Sequence, residues 1–321
     1  MKEFTCSIHG AAVYFRIEMD ELAADLMEEF REHAGSGSFR SDASLVMRKE
    51  DPVQDRLPEC AVRVSTVFPS SSVFAHRGKI YIHDPGNYLI CTSPESLEVS
   101  IWASPSARIF EKVRYLSKHL VVKALERRGF HWIHGSSVSQ GPGGGALIFT
   151  GVSGSGKTTC LLTMLENGYR MVSDDVVLLK ESLVFPFYLR SMIHTGTVRR
   201  FPSLRKAFER SRYDPGADGS WVNLGEYFPV QKEAVKPVAI FNTSVWNSES
   251  SECRPSTPAK TVPRLVRNFL LESGSIFEPS QEYARAAFAA FSSIAESVPC
   301  FDLYVGRGNR SLYEAVQGAL R

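Results

Sequence analysis

Gly151-Val152-Ser153-Gly154-Ser155-Gly156-Lys157-Thr158, followed by Thr159, is the stretch on which the fold of this chain is read. It fits G-x-x-x-x-G-K-[ST], a loop whose backbone N–H groups wrap phosphate oxygens. The apolar run Ala146–Thr150 before it has strand character. Lys157–Asn167 after it sets Leu161, Leu162 and Leu165 at helical spacing, and Gly168 closes that helix. Strand, loop and helix in this order are the context the motif requires, which disfavours a chance Gly-Ser turn. The glycines let the backbone turn tightly, and the helix beginning at Lys157 adds the positive end of its dipole. Lys157 is expected to bridge β- and γ-phosphates, and the Thr158 hydroxyl to ligate Mg²⁺.

The next acidic feature follows closely. Only the 16 residues 158–173 separate Lys157 from Asp174-Asp175. A helix of about 11 residues climbs ~16 Å from the loop, and about five extended residues descend ~16 Å again. Asp174 should therefore return to the level of the phosphates. Asp174 is assigned as general base for an incoming hydroxyl and Asp175 as metal ligand, directly or through water, although the two roles are exchangeable. A solvated turn carrying two acids is the bland alternative. His134, one strand earlier in His134-Gly135-Ser136-Ser137, is a candidate for charge stabilisation or acceptor orientation, against a satisfied core histidine. Downstream lies a basic segment with Arg190, Arg199, Arg200 and Arg205. Arg190, at the end of Phe185–Leu189, is its best candidate for substrate contact; a solvated helix around Leu204–Arg212 accounts for most of the others.

The chain has 321 residues, 43 % of them hydrophobic and 22 % charged, with a net charge of +2. That composition is ordinary for a globular protein and gives no sign of a nucleic-acid partner. No signal peptide and no apolar run of about 18 residues is present, so a cytoplasmic protein without a membrane partner is expected. Six cysteines without a C-x-x-C pair read as reduced thiols, and His131 and His134 as strand residues.

Along the chain, Phe4–Glu18 reads as a strand and Glu21–His33 as a helix burying Leu22, Leu26, Met27 and Phe30, broken by Gly35-Ser36-Gly37-Ser38. Short strands follow at Ala43–Met47, Ala61–Val67, Val73–Ala75, Lys79–His83, Tyr88–Ser93 and Glu98–Ala103. A helix is expected over Arg108–Arg128 and strands over Phe130–Val138, Met171–Ser173 and Val176–Leu179. The chain then loosens to about Glu233. Pro237–Phe241 and Pro299–Val305 read as strands; Thr261–Ser273, Glu282–Glu296 and Ser311–Leu320 read as helices. The fold class is α/β, with a β-rich amino-terminal module over 1–107 and a phosphate-loop domain over 108–321. Neither repeats nor low-complexity tracts occur.

His134-Gly135, the strand 146–150, the phosphate loop, Asn167–Val172 and Ser173-Asp174-Asp175 together resemble the carboxy-terminal domain of HPr kinase/phosphorylase. The resemblance covers residues 130–180, and the final strand and helix look similar too. It implies a fold like that of phosphoenolpyruvate carboxykinase and Mg²⁺-ATP-dependent transfer to a serine hydroxyl. Asp174 takes the place of the family's base, with His134, Lys157 and Thr158 in their matching positions. ATP and Mg²⁺ are the implied cofactors, bound over Gly151–Thr159. The family's glutamate–arginine–glycine signature has no glutamate here, in His194–Arg200, and the amino-terminal module does not match. The chain is more similar to the divergent group that includes lasso-peptide tailoring kinases, whose acceptor is a serine near a peptide's end. A peptide or small-protein acceptor is thus the expected partner, and a homo-oligomer is left open. The alternatives are a small-molecule hydroxyl kinase and a non-catalytic nucleotide-binding regulator.

Overall fold

The computed structural model describes residues 1–35, 41–50, 56–58, 61–68, 71–141, 143–214, 218–273 and 280–321. The Ser36–Ser38 breaker, Cys60 and Pro142 lie outside the described residues. Two compact units result, one built on Met1–Gly129 and the other on Phe130–Glu272 with the carboxy-terminal residues through Arg321.

In the first unit, nine strands form one sheet: β1 (Lys2–Ile8), β2 (Ala11–Ile17), β3 (Ala34–Gly35), β4 (Ala43–Lys49), β5 (Val62–Phe68), β6 (Ser71–His76), β7 (Lys79–Asp84), β8 (Tyr88–Ser93) and β9 (Glu98–Ala103). Their order is β3-β1-β2-β4-β9-β8-β7-β6-β5. The single strand expected over Phe4–Glu18 is instead a hairpin. His9 and Gly10 both take positive φ, 46° and 84°, the turn geometry that matches strand twist. Helix α1 (Asp20–Glu29) buries Leu22, Leu26 and the following Phe30, whereas Met27, expected on the same face, is exposed. Helix α2 (Phe110–Glu126) buries Val113, Leu116, Leu120 and Leu125. It packs on β2 and β4 and so belongs to this unit, beyond the 107/108 boundary expected from sequence. An ion pair, Arg114 Nη2 to Glu29 Oε2 at 2.7 Å with both side chains buried, joins the two helices.

The second unit contains β10 (His131–Ser139), β11 (Ala146–Thr150), α3 (Lys157–Glu166), β12 (Arg170–Ser173), β13 (Val176–Lys180), β14 (Leu183–Phe185), β15 (Ser191–His194), α4 (Thr195–Arg200), α5 (Arg205–Arg210), β16 (Tyr213–Asp214), β17 (Gly219–Val222), β18 (Pro237–Val245), β19 (Glu252–Ser256), α6 (Pro258–Ser273), α7 (Gln281–Ser297), β20 (Cys300–Val305) and α8 (Asn309–Ala319). The main sheet runs β14-β13-β10-β11-β18-β20-β19, with β12 also on β10. Strands β11, β18 and β20 are parallel, and β10 is antiparallel to β11. Phe149, Phe241 and Leu303 share a core with Leu161, Leu162 and Leu165 of α3 and Leu312 and Val316 of α8. The next residues along β11 and β18, Thr150 and Asn242, instead bond to α6, to Asn268 and Thr261. Successive strand side chains point to opposite faces, so α3 and α6 cover opposite faces of the sheet.

The segment expected to be loose contains a three-stranded sheet, β15-β17-β16, and only the six-residue α5 where a surface helix was expected. Strand β19, unforeseen, pairs antiparallel with β20. Among the described residues no helix is long and apolar enough to cross a membrane. The five described cysteines are unbridged.

Candidate active site

Strand β11 ends at Thr150, and the loop that follows is fixed by side chains beneath it. Thr243 of β18 donates to the Thr150 carbonyl at 3.0 Å, and its hydroxyl lies 2.8 Å from that of Ser155. Gly156 has φ 97°, at the start of α3, with Val305 directly below, so a side chain there would be both strained and crowded. Lys157 is buried and its ammonium donates to the carbonyls of Gly151 and Val152, each at 2.9 Å. Burial holds its pKa below the usual lysine range, while the charges of Asp174, Asp175 and Glu272 act against that shift.

The acidic pair sits at an interruption of one antiparallel ladder. Ser137 pairs with Ser173 and His134 with Val176, so Asp174 and Asp175 lie opposite Ser136 and Gly135. Asp175 takes the left-handed conformation, φ 69°, which aspartate tolerates better than most residues. Its twist separates the two carboxylates: Asp174 is 6 % exposed, whereas the Asp175 side chain is 43 % exposed. Ser136 donates to Asp174 Oδ1 at 2.7 Å. Burial pushes the Asp174 carboxyl above the ordinary aspartate range; the Ser136 hydrogen bond opposes the shift and the Asp175 charge adds to it.

His134 is buried beside the pair. Its Nδ1 is 3.1 Å from the Asp175 carbonyl oxygen and 3.1 Å from Asp175 Oδ1. A carbonyl only accepts, so Nδ1 carries the hydrogen. Gly135 is required by packing, since a Cβ there would lie 2.7 Å from the Phe149 carbonyl oxygen.

These groups line one cleft of about 350 Å³. His134, Lys157, Thr158, Asp174, Asp175 and Arg190 face it, together with Ser153, Gly154, Gly156 and Thr159. Gly151 and Val152 line a second cleft of about 260 Å³, with Asn242, Arg264, Asn268 and Asp302. Ser155 is buried against Thr243. Arg190, 8 % exposed, reaches the first cleft just before β15, and Met192 and Trp221, register partners on β15 and β17, also line it.

Sequence reading missed Ser136, Thr243 and Glu272. Ser136 carried a signal: it stands two residues after His134 in one strand and so on the same face. The other two come from elements brought in by tertiary packing.

Such a site can hold a phosphate chain on amides and an ammonium, with a buried carboxylate alongside. Among the described residues no group of three or more His, Cys, Asp and Glu side chains has the arrangement of a metal cage. A divalent ion here would be held by one or two protein oxygens and the phosphates, the manner usual for Mg²⁺. Thr158 and Asp175 are among the oxygen-bearing side chains that line the cleft.

No family model matches the chain. It is 32 % identical over 84 residues to HPr kinase/phosphorylase of Xylella fastidiosa strains M12, Temecula1 and 9a5c, a match covering 26 % of this chain and 25 % of each relative. The chain thus spans about a quarter of the length of the curated relatives it matches. Over that stretch it is distantly similar to HPr kinase/phosphorylase.

Proposed function

We propose that this chain is an ATP-dependent phosphotransferase that moves the γ-phosphoryl group to a serine or similar hydroxyl of a peptide or small protein. The observation that carries the reading is the buried Asp174 carboxyl in one cleft with the phosphate loop and Lys157. The main sheet of the second unit would then be the core of a kinase domain of HPr kinase/phosphoenolpyruvate carboxykinase type. Amides over Ser153–Thr159 and the Lys157 ammonium hold the phosphates, and Thr158 and Asp175 hold Mg²⁺, which when bound neutralises phosphate charge. Asp174 accepts the acceptor hydroxyl's proton while that oxygen forms its bond to Pγ; the bond from Pγ to the β–γ bridging oxygen breaks, and ADP leaves. His134 lines the same cleft, beside Asp174 and Asp175, where it orients the acceptor. Arg190 is the acceptor's contact on the β15 side. Unbridged cysteines fit a reducing compartment, the cytoplasm.

The absent family glutamate and the unmatched first unit favour the divergent peptide-tailoring group over phosphorylation of HPr. Mass spectrometry of candidate peptides after incubation with Mg²⁺-ATP should show phosphate on a hydroxyl. Asp174→Asn should lower transfer by about 10²–10⁴-fold and leave nucleotide affinity within a few-fold. Full transfer by that variant overturns the assignment. Phosphorylation of a free hydroxy amino acid but no peptide would move the reading to a small-molecule kinase. Nucleotide binding without any transfer would leave a regulator.

A further inference from the structure

Helix α6 sends two side chains to opposite ends of His134, and neither was legible in the phosphate-loop motif. Asn268 and Glu272 are four residues apart and so lie on one face of the helix. Asn268 is buried and donates to Thr150 Oγ1 at 3.2 Å, and the Thr150 hydroxyl donates to the His134 carbonyl at 3.1 Å. Glu272 Oε1 lies 3.6 Å from His134 Nε2, a buried nitrogen with no closer hydrogen-bond partner. The other ring nitrogen is taken by Asp175. Three groups therefore border this histidine: Asn268 ties its backbone through Thr150, Asp175 bonds Nδ1, and the Glu272 carboxylate flanks Nε2 at 3.6 Å, beyond direct hydrogen-bond length. Glu272 is also close enough for its charge to act on Lys157.

We propose that Glu272 is a positioning residue for the phosphoryl-transfer site, keeping the His134 ring where it lines the cleft while Asn268 fixes the strand that carries it. Glu272 does not line the cleft itself, so it acts through His134. A carboxylate packed beside an imidazole restricts the orientations open to the ring. The transfer readout below rests on the kinase reading; the spectroscopic one does not.

The test pairs Glu272→Ala with Glu272→Gln, in the native and His134→Ala backgrounds. Glu272→Ala should reduce transfer turnover about tenfold, the coupling expected of neighbours in one network, and leave the nucleotide KM unchanged. Glu272→Gln, which keeps an oxygen facing Nε2, should recover part of the loss. With His134→Ala, adding Glu272→Ala should cost nothing more. Independently of turnover, long-range ¹H–¹⁵N spectra at fixed pH should show the His134 ring-nitrogen shifts moving in Glu272→Ala. Unmoved ring shifts, or an undiminished loss in the His134→Ala background, overturn the proposal. If the native protein transfers no phosphate, the kinase reading fails and the ring shifts alone decide the role of Glu272.

Discussion

At the scale of single residues, the role proposed for Asp174 is set against stability. A carboxyl whose pKa rises on folding stabilises the fold below its unfolded value, while protonated, and that contribution is lost as pH rises through the folded value. Above that folded value the ionised, buried Asp174 therefore weighs against folding. In the absence of nucleotide, Asp174→Asn should raise the melting temperature by a few degrees, at about 2–4 °C per kcal/mol for a domain of this size. The gain should shrink as pH falls through the folded value toward the unfolded one. Calorimetry at two pH values checks this, and a variant that melts lower at both contradicts it. Gly135 is the opposite case, a position where nothing can be added. Its missing Cβ faces a backbone carbonyl that cannot rotate away, so Gly135→Ala should destabilise the protein by about 1–3 kcal/mol. Urea titration would show it as a lower midpoint with an unchanged slope.

Elements explain which parts of this molecule can be read in advance. The phosphate loop is contiguous in sequence, and its flanking strand and helix carry their own apolar periods, so loop, Lys157 and helix α3 were all legible. The strands of the first unit were legible too, because turn residues punctuate them. Strand β19 was not: it lies at the sheet edge with its residues half-buried or exposed, and shows no apolar alternation. The hairpin at His9-Gly10 was read as one strand because only its glycine signals a turn. The left-handed Asp175 was hidden as well, since its conformation follows from the ladder on either side. Ion pairs between helices are equally silent in sequence. Glu29→Ala removes the carboxylate 2.7 Å from the buried Arg114 guanidinium and should cost about 3–5 kcal/mol. Replacing both residues by apolar ones of similar volume, Glu29→Leu with Arg114→Met, should restore most of it. Chemical denaturation of the single and double variants separates these outcomes.

For the molecule as a whole, the second unit gathers its working groups from β10, the phosphate loop, the β12–β13 break and the run into β15, while α6 reaches the same strands from the far face. Ligand binding should therefore register as stability of the fold. Mg²⁺-ATP at 100 times its Kd should stabilise the protein by about 2.7 kcal/mol, read as a rise in melting temperature. Lys157→Ala should abolish most of that rise. One detail of the loop bears on how the ligand enters. With Lys157 already hydrogen-bonded to the carbonyls of Gly151 and Val152, the loop carries its own placeholder cation. On the proposed function, capture of a nucleotide would be an exchange of acceptors, two neutral carbonyls for charged phosphate oxygens, and not a folding event. The same two carbonyls would receive the ammonium again when product departs, so the loop would stand ready for the next nucleotide without being rebuilt.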